Sequence, residues 1–198
     1  MLIIGFVFQF FIKFEIDNEG FWYPEVDPNK CTDCGLCVKV CPELNADSPK
    51  LKVDDEPIVY AARHKDKEII KDSTSGGIYS AFAELFLSMG GYVGGAVYDD
   101  TFNIKHIVTN DINDLPRLRS SKYAQSDLNE FHISVKKLLR DGKKVMVCGT
   151  PCQMAGLRLF LRKPYKNLLV LDFICRGINS PLVYQKHLKS LAQKFSSK

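Results

Sequence analysis

The chain has 198 residues and 22.4 kDa, enough for one ordinary domain plus a small module. Hydrophobic residues at 45% and charged residues at 25% are globular values, and they exclude a disordered or fibrous chain. A net charge of +4 is too mild for a dedicated nucleic-acid binder, and seven Cys are too few for a disulfide scaffold.

Met1 to Ile12 (MLIIGFVFQFFI) is an apolar run, broken only by Gly5 and Gln9. It is shorter than the ~20 residues of a membrane span. It also lacks the basic lead-in and small-residue cleavage site of a secretory signal. A buried strand or an aberrant start is expected there, in a cytoplasmic chain with no membrane span. Phe21 to Asp27 reads as a short extended piece, followed by a run of cysteines that ends near Asn45. Asn45 to Asp55 is polar and turn-rich, in the manner of a linker.

Beyond it the pattern alternates between helices and strands. Ser75-Gly76-Gly77 opens a helix to about Met89, with Ile78, Ala81, Phe82, Leu85 and Phe86 expected on its buried face. Gly90-Gly91 closes it. Tyr92 to Tyr98 and Asn103 to Val108 predict a hairpin turning at Asp99-Asp100, and Asp127 to Arg140 predicts a second helix closed by Gly142. Lys144 to Cys148 reads as a buried strand. Thr150 then suits a helix N-cap and Pro151 the first helical position, with the helix running to about Leu161. Leu168 to Ile174 is another buried-type strand, Gly177 lies in a turn, and Pro181 opens a last helix. Strands and helices in this order imply an α/β layer with a partly parallel sheet, α+β when the small first module is included.

The charge supports two modules. Residues 1–72 hold 9 basic and 14 acidic side chains, whereas residues 73–198 hold 18 and 9. The division expected is a ferredoxin-like iron–sulfur module over 1–47, a linker over 48–72 and a cofactor-binding α/β domain over 73–198. A basic second part concentrates anionic cofactors or substrates, although solvated lysines explain any single one of them equally well.

Cys31, Cys34, Cys37 and Cys41 with Pro42 spell C-x2-C-x2-C-x3-C-P, the bacterial 4Fe–4S ferredoxin pattern. Thiolates at this spacing grip the irons of a cubane, and Gly35 lets the backbone turn its amides toward the sulfurs. Zinc sites use paired C-x2–4-C units across a wide gap, and no second pair follows. A disulfide set conflicts with the missing secretion signal. The fourth ligand stays open. Cys41 completes its own cluster, or an outside group does, or the chain lacks its natural beginning. Cys148 and Cys175 end two parallel-type strands, and Cys152 sits in the first turn of the helix between them. There a helix start favours a thiolate, so the three offer a reactive thiol, a redox pair or an extra metal ligand, with Cys152 the leading candidate. The alternative is a small buried hydrophobe. His64, His106, His132 and His187 form no ligand pair and read as structural or exposed. The Lys136-Lys137 and Lys143-Lys144 pairs lack interleaved aromatics, so no nucleic-acid partner is expected.

The ordered segments EGFWYPEVD, CTDCGLCVKVCPELN, STSGGIYSAFAE, SSKYAQSDL, CGTPCQMAGLRLFL and DFICRGINSP resemble the coenzyme F420 hydrogenase/dehydrogenase beta-subunit family. The resemblance spans about Glu19 to Tyr184. It implies a flavoprotein electron-transfer module carrying a 4Fe–4S cluster and FAD. Its implied partners are a redox protein, a deazaflavin or flavin-type small molecule, and other oxidoreductase subunits. A flavin takes up single electrons or pairs, so it mediates between a cubane and a hydride carrier. By matching blocks, Ser75, Gly76, Gly77, Lys122, Tyr123, Thr150, Pro151, Cys152 and Gln153 would line the cofactor cleft. Both helix starts in that set suit phosphate; plain capping is the competing explanation for Ser75 and Thr150. Neither a dinucleotide loop nor a nucleotide-triphosphate loop is present.

Four departures from the family stand out. No cysteine run precedes EGFWYP, Cys175-Arg176-Gly177 replaces C-H-G, and Ser120 stands where glycine is usual. The chain also stops before relatives do, so a truncated member is expected. The competing readings are a non-catalytic electron-transfer adaptor without flavin and a degenerate fragment of such a subunit.

Overall fold

The computed structural model describes residues 12–48, 51, 56–128 and 130–196. The strand expected over Met1 to Ile12 lies outside these residues apart from Ile12, which opens β1 (Ile12–Ile16). β1 pairs antiparallel with β2 (Trp22–Val26), Ile12 facing Val26 and Ile16 facing Trp22. The turn between them is built on Asp17, whose carboxylate accepts from the N–H groups of Glu19 (2.9 Å) and Phe21 (2.8 Å). Gly20 is required there. Its φ is +87°, and a β-carbon would stand 2.7 Å from the Leu182 nitrogen.

The cysteine run leads into a short helix, α1 (Leu36–Val40), entered through Gly35 at φ 65°. The stretch read as linker contains α2 (Lys67–Lys71), capped by the Asp66 carboxylate on the Glu68 N–H. Then comes α3 (Ile78–Ser88), with Gly77 at its start in the left-handed region. The hairpin that follows is β3 (Tyr92–Tyr98) and β4 (Ile104–Thr109), in antiparallel register as the sequence predicts. A single 3-10 turn (Ile112–Asp114) leads to α4 (Leu115–Leu118).

The helix expected from Asp127 starts later. Ser126 and Asp127 form a short strand, β5 (Ser126–Asp127), parallel to β4, and α5 (Phe131–Arg140) follows. The open edge of β4 supplies hydrogen bonds that a helix over these two residues would forgo. β6 (Val145–Gly149), α6 (Pro151–Leu161) and α7 (Pro181–Ser196) lie where the pattern places them, whereas β7 (Leu168–Asp172) stops short of the expected Ile174 and leaves Cys175 beyond the strand.

The main sheet has the order β5-β4-β3-β6-β7, parallel at every seam except β3–β4. α5 and α6 cover one face, where Phe131, Val135, Leu139, Val145, Val147, Met154 and Leu157 form the core. On the other face Ala83, Val93, Val97, Leu115, Leu118 and Met146 pack together beneath α3 and α4.

α3 presents a different side from the one expected. Ser80 and Ala83 are its buried positions, whereas Phe82 is 40% and Leu85 52% exposed. The helix is apolar nearly all round, so periodicity does not choose a face. Small residues let it lie close to the sheet. No helix among the described residues is long and apolar enough to cross a membrane.

Candidate functional site

The four cysteines of the run are free thiols. Cys31 and Cys34 are exposed, and Cys37 and Cys41 half-buried. Backbone amides face two of them, Cys31 and Cys34. The Asp33 N–H lies 3.4 Å from Cys31 Sγ, and the Leu36 amide, helped by the Thr32 hydroxyl, holds the Cys34 thiol below its ordinary value. Four thiols within 11 residues, with amides turned toward two of them, are the donor set of a cubane. The thiols are not drawn together to metal-holding distance. Among the described residues no three His, Cys, Asp or Glu side chains form such a group, and this includes Cys148, Cys152 and Cys175.

Val40 and Pro42 are buried, and α1 packs against α6. The cysteine loop is thereby carried to the helix that starts at the carboxyl end of β6. That end of the sheet is also its switch point. β3 continues leftward into β4 and β5, and the chain then crosses to β6 and β7 on the right. Ligand crevices of open α/β sheets form outside the carboxyl ends at such a point. The central seam stops early. β3 and β6 pair only from Tyr92–Val145 to Gly94–Val147, while β6 stays paired with β7 as far as Gly149.

The segment Ser120 to Leu128 ties the predicted blocks together. Ser120 Oγ donates to the Asp72 carbonyl at 2.8 Å, and the Ser121 N–H donates to Thr74 Oγ1 at 2.9 Å. This brings the Ser75-Gly76-Gly77 turn against the Lys122-Tyr123 block. Ser126 Oγ accepts from Gln153 Nε2 at 2.8 Å, joining the same segment to α6. Gln125 bonds the backbone of Trp22 in the iron–sulfur module. Ser120 itself sits at φ 65°, the left-handed conformation that the replaced glycine would adopt freely.

The individual candidates fare differently. Ser75 and Tyr123 are exposed, so both are open to a ligand. The Gly76 carbonyl accepts from the His64 N–H at 2.7 Å, and a β-carbon at Gly76 would meet the Ala62 oxygen at 2.8 Å. Lys122 Nζ is enclosed by the carbonyls of Arg117 (2.9 Å), Arg119 (2.5 Å) and Ser120 (3.1 Å). Burial lowers its pKa to about 8, against an upward pull from Cys148. Gln153 Oε1 accepts from the Thr150 N–H at 3.0 Å, and Pro151 fills the first helical position. Cys152 is exposed, its sulfur 3.2 Å from Thr150 Oγ1.

Sequence reasoning missed a second layer beneath these residues. Cys148 is half-buried beside Lys122. Burial and then Asp172 push its thiol up to about 11, with Lys122 opposing them. The Tyr79 hydroxyl reaches the Gly94 carbonyl at 3.5 Å, and burial raises its pKa. On the opposite face of the sheet, His106 is 8% exposed and stands edge-on to Phe131, with ring centroids 5.0 Å apart. Burial holds its pKa down at about 4 and Lys122 lowers it further. The nearby Cys148 carbonyl favours the charged form. Its place on a strand was legible; its burial was not.

A ferredoxin-type cysteine loop packed through α1 on a helix of an α/β layer defines an iron–sulfur protein. Comparison with known proteins agrees. Residues 23–46 match a 4Fe–4S binding domain. Residues 142–197 match the C-terminal part of the coenzyme F420 hydrogenase/dehydrogenase beta subunit. The coenzyme F420-dependent sulfite reductase of Methanocaldococcus jannaschii is 30% identical over 132 residues, covering 66% of this chain and 20% of that protein. A chain of the F420-reducing NiFe hydrogenase complex from Methanosarcina barkeri shares the fold at TM-score 0.50 and 23% identity. That match covers 69% of this chain and 52% of the other. The two sequence matches support a coenzyme F420 hydrogenase/dehydrogenase beta-subunit-like family, and the solved structure shows the shared fold. It spans about one fifth of the curated relative's length.

Proposed function

We propose that the chain is an electron-transfer module of an oxidoreductase, passing electrons between a 4Fe–4S cluster and a flavin or deazaflavin-type carrier. Cys31, Cys34, Cys37 and Cys41 would hold the cluster, which supplies single electrons. The observation that carries this reading is the packing of α1 on α6. It brings the cysteine loop to the helix whose start flanks the open end of the β3–β6 seam.

Two features would suit a flavin such as FAD. The start of α6 offers amide hydrogens to a phosphate. Tyr123 stands 64% exposed, a ring free to stack. Cys152 sits in the same helix turn as the exposed thiol nearest that start. In this reading the module works beside other oxidoreductase subunits, with a deazaflavin or a redox protein at the far end of the electron path.

One observation favours a second reading, a cluster-bearing adaptor without flavin. The side chains of Lys122 and Gln153 and the backbone of Gly76 are already engaged within the protein.

Anaerobic reconstitution followed by iron, sulfide and flavin assays separates the two readings. Four irons and one flavin per chain after gel filtration support the first reading. Iron without flavin supports the adaptor. Stoichiometric zinc in place of iron overturns both.

A further inference from the structure

Arg119 carries a charge that nothing around it balances. It follows α4, half-buried, and its Nε donates to Ser80 Oγ at 3.0 Å. Ser80 is 1% exposed in the first turn of α3, so the guanidinium is seated against the protein through that edge. Among the described residues no carboxylate pairs with it, and its two terminal nitrogens have no partner. Acids on the same elements are already taken. Asp114 pairs with Arg117 at 2.8 Å, and Glu84 of α3 with His64 at 3.3 Å.

A cation drawn out of open water is costly without a counter-charge. A lysine escapes by releasing its proton, and Lys122 shows the tendency, since burial lowers its pKa to about 8. An arginine does not release its proton inside a protein. Lys122 gives Arg119 no relief either. Its ammonium lies on the Arg119 carbonyl and adds a second positive charge to the same turn.

The surroundings favour an anion. Ser120 and Ser121 bond Asp72 and Thr74, which lays the Arg119 turn along the approach to α3. α3 is 11 residues long, and Gly77 at its N-cap has no side chain to close the amides of the first turn. Ser80 belongs to that turn, so the guanidinium adjoins those amides.

We propose that Arg119 anchors an oxyanion site beside the start of α3, taking the phosphate group of a cofactor or substrate. With Nε spent on Ser80, the edge formed by its two terminal nitrogens stays free to grip two oxygens side by side. Ser80 is the positioning residue. The inference stands apart from the flavin reading, because a phosphate is recognised by its charge and its oxygens whatever ring it carries.

Isothermal titration near neutral pH and at low salt, with inorganic phosphate and separately with ADP, tests the site. Arg119→Gln, which keeps a partner for Ser80, weakens binding of both probes by roughly tenfold or more. Arg119→Lys keeps the charge without the fork and falls between it and the wild type. Lys137→Gln, at an exposed position on α5, leaves binding unchanged. An equal loss in Lys137→Gln would mean diffuse attraction to a basic surface and overturns the site. A merely structural arginine would show a lower melting temperature in Arg119→Gln with unchanged affinity, which also overturns it. ADP bound tightly and phosphate weakly identifies a nucleotide diphosphate as the ligand, whereas equal binding identifies a free oxyanion. A wild-type chain that binds neither probe refutes the site and leaves the flavin reading intact.

Discussion

Gln125 and Trp22 exchange a pair of hydrogen bonds across 103 positions of sequence. The Trp22 N–H donates to Gln125 Oε1 at 3.0 Å, and Gln125 Nε2 donates back to the Trp22 carbonyl at 3.3 Å. The side-chain amide thus occupies the place of a neighbouring strand on β2, and Trp22 packs against the core of the α/β layer. Gln125→Ala leaves both backbone groups to water and costs about 1–2 kcal/mol. Trp22 is the single tryptophan, so the loosening reads directly as a red shift of its fluorescence. An unshifted spectrum would show that the module is held without this pair.

Ser120 is strained and hydrogen-bonded at once, which separates two substitutions. Ser120→Gly relieves the left-handed backbone by ~1 kcal/mol and forfeits one exposed hydrogen bond, for a small net gain in stability. Ser120→Ala keeps the strain and loses the bond, for a loss of ~0.5–1 kcal/mol. Urea midpoints of the two variants therefore move in opposite directions.

Two buried imidazoles set the response to acid. The pKa of His106 is held at about 4 and that of His132 at about 3, chiefly by burial, against an ordinary 6.5 in the unfolded chain. The unfolded state therefore takes up protons first. Stability is complete above pH 6.5 and falls as pH drops through that value toward 4, by about 1.4 kcal/mol per pH unit for each site. Urea denaturation at about pH 7.5 and about pH 5 measures the loss, and His106→Phe halves its slope.

The cysteines differ in reactivity. Cys152 and Cys175 are exposed, while burial and Asp172 hold the Cys148 thiol protonated up to about pH 11. Iodoacetamide near neutral pH therefore labels Cys152 and Cys175 and spares Cys148, as read by peptide mass spectrometry. In the cluster-free chain Cys31 and Cys34 label as well. After anaerobic loading with iron and sulfide they are protected.

Local chemistry made much of this legible in the sequence. The hairpin at Asp99, the Thr150–Pro151 helix start and the C-x2-C-x2-C-x3-C-P run each depend on residues close together in the chain. The strained position at Ser120 was visible too, because glycine is the residue that fits it. What stayed hidden depends on distant neighbours. β1 is defined by pairing with β2, and Ser126–Asp127 become a strand because β4 has a free edge. α3 turns Ala83 inward and Phe82 outward because the sheet allows a close approach, a fact about β3 and not about α3. The burial of His106 against Phe131 cannot be read from any local pattern.

The mooring of the Glu19 turn has a consequence for biosynthesis. Its carbonyl accepts from Ser180 Oγ at 2.6 Å, 161 positions further along the chain, and from the Leu182 N–H at 3.1 Å. During synthesis on the ribosome the cysteine loop emerges well before these anchors exist. The nascent thiols are then accessible to iron and sulfide donors, and docking comes only as α7 clears the exit tunnel.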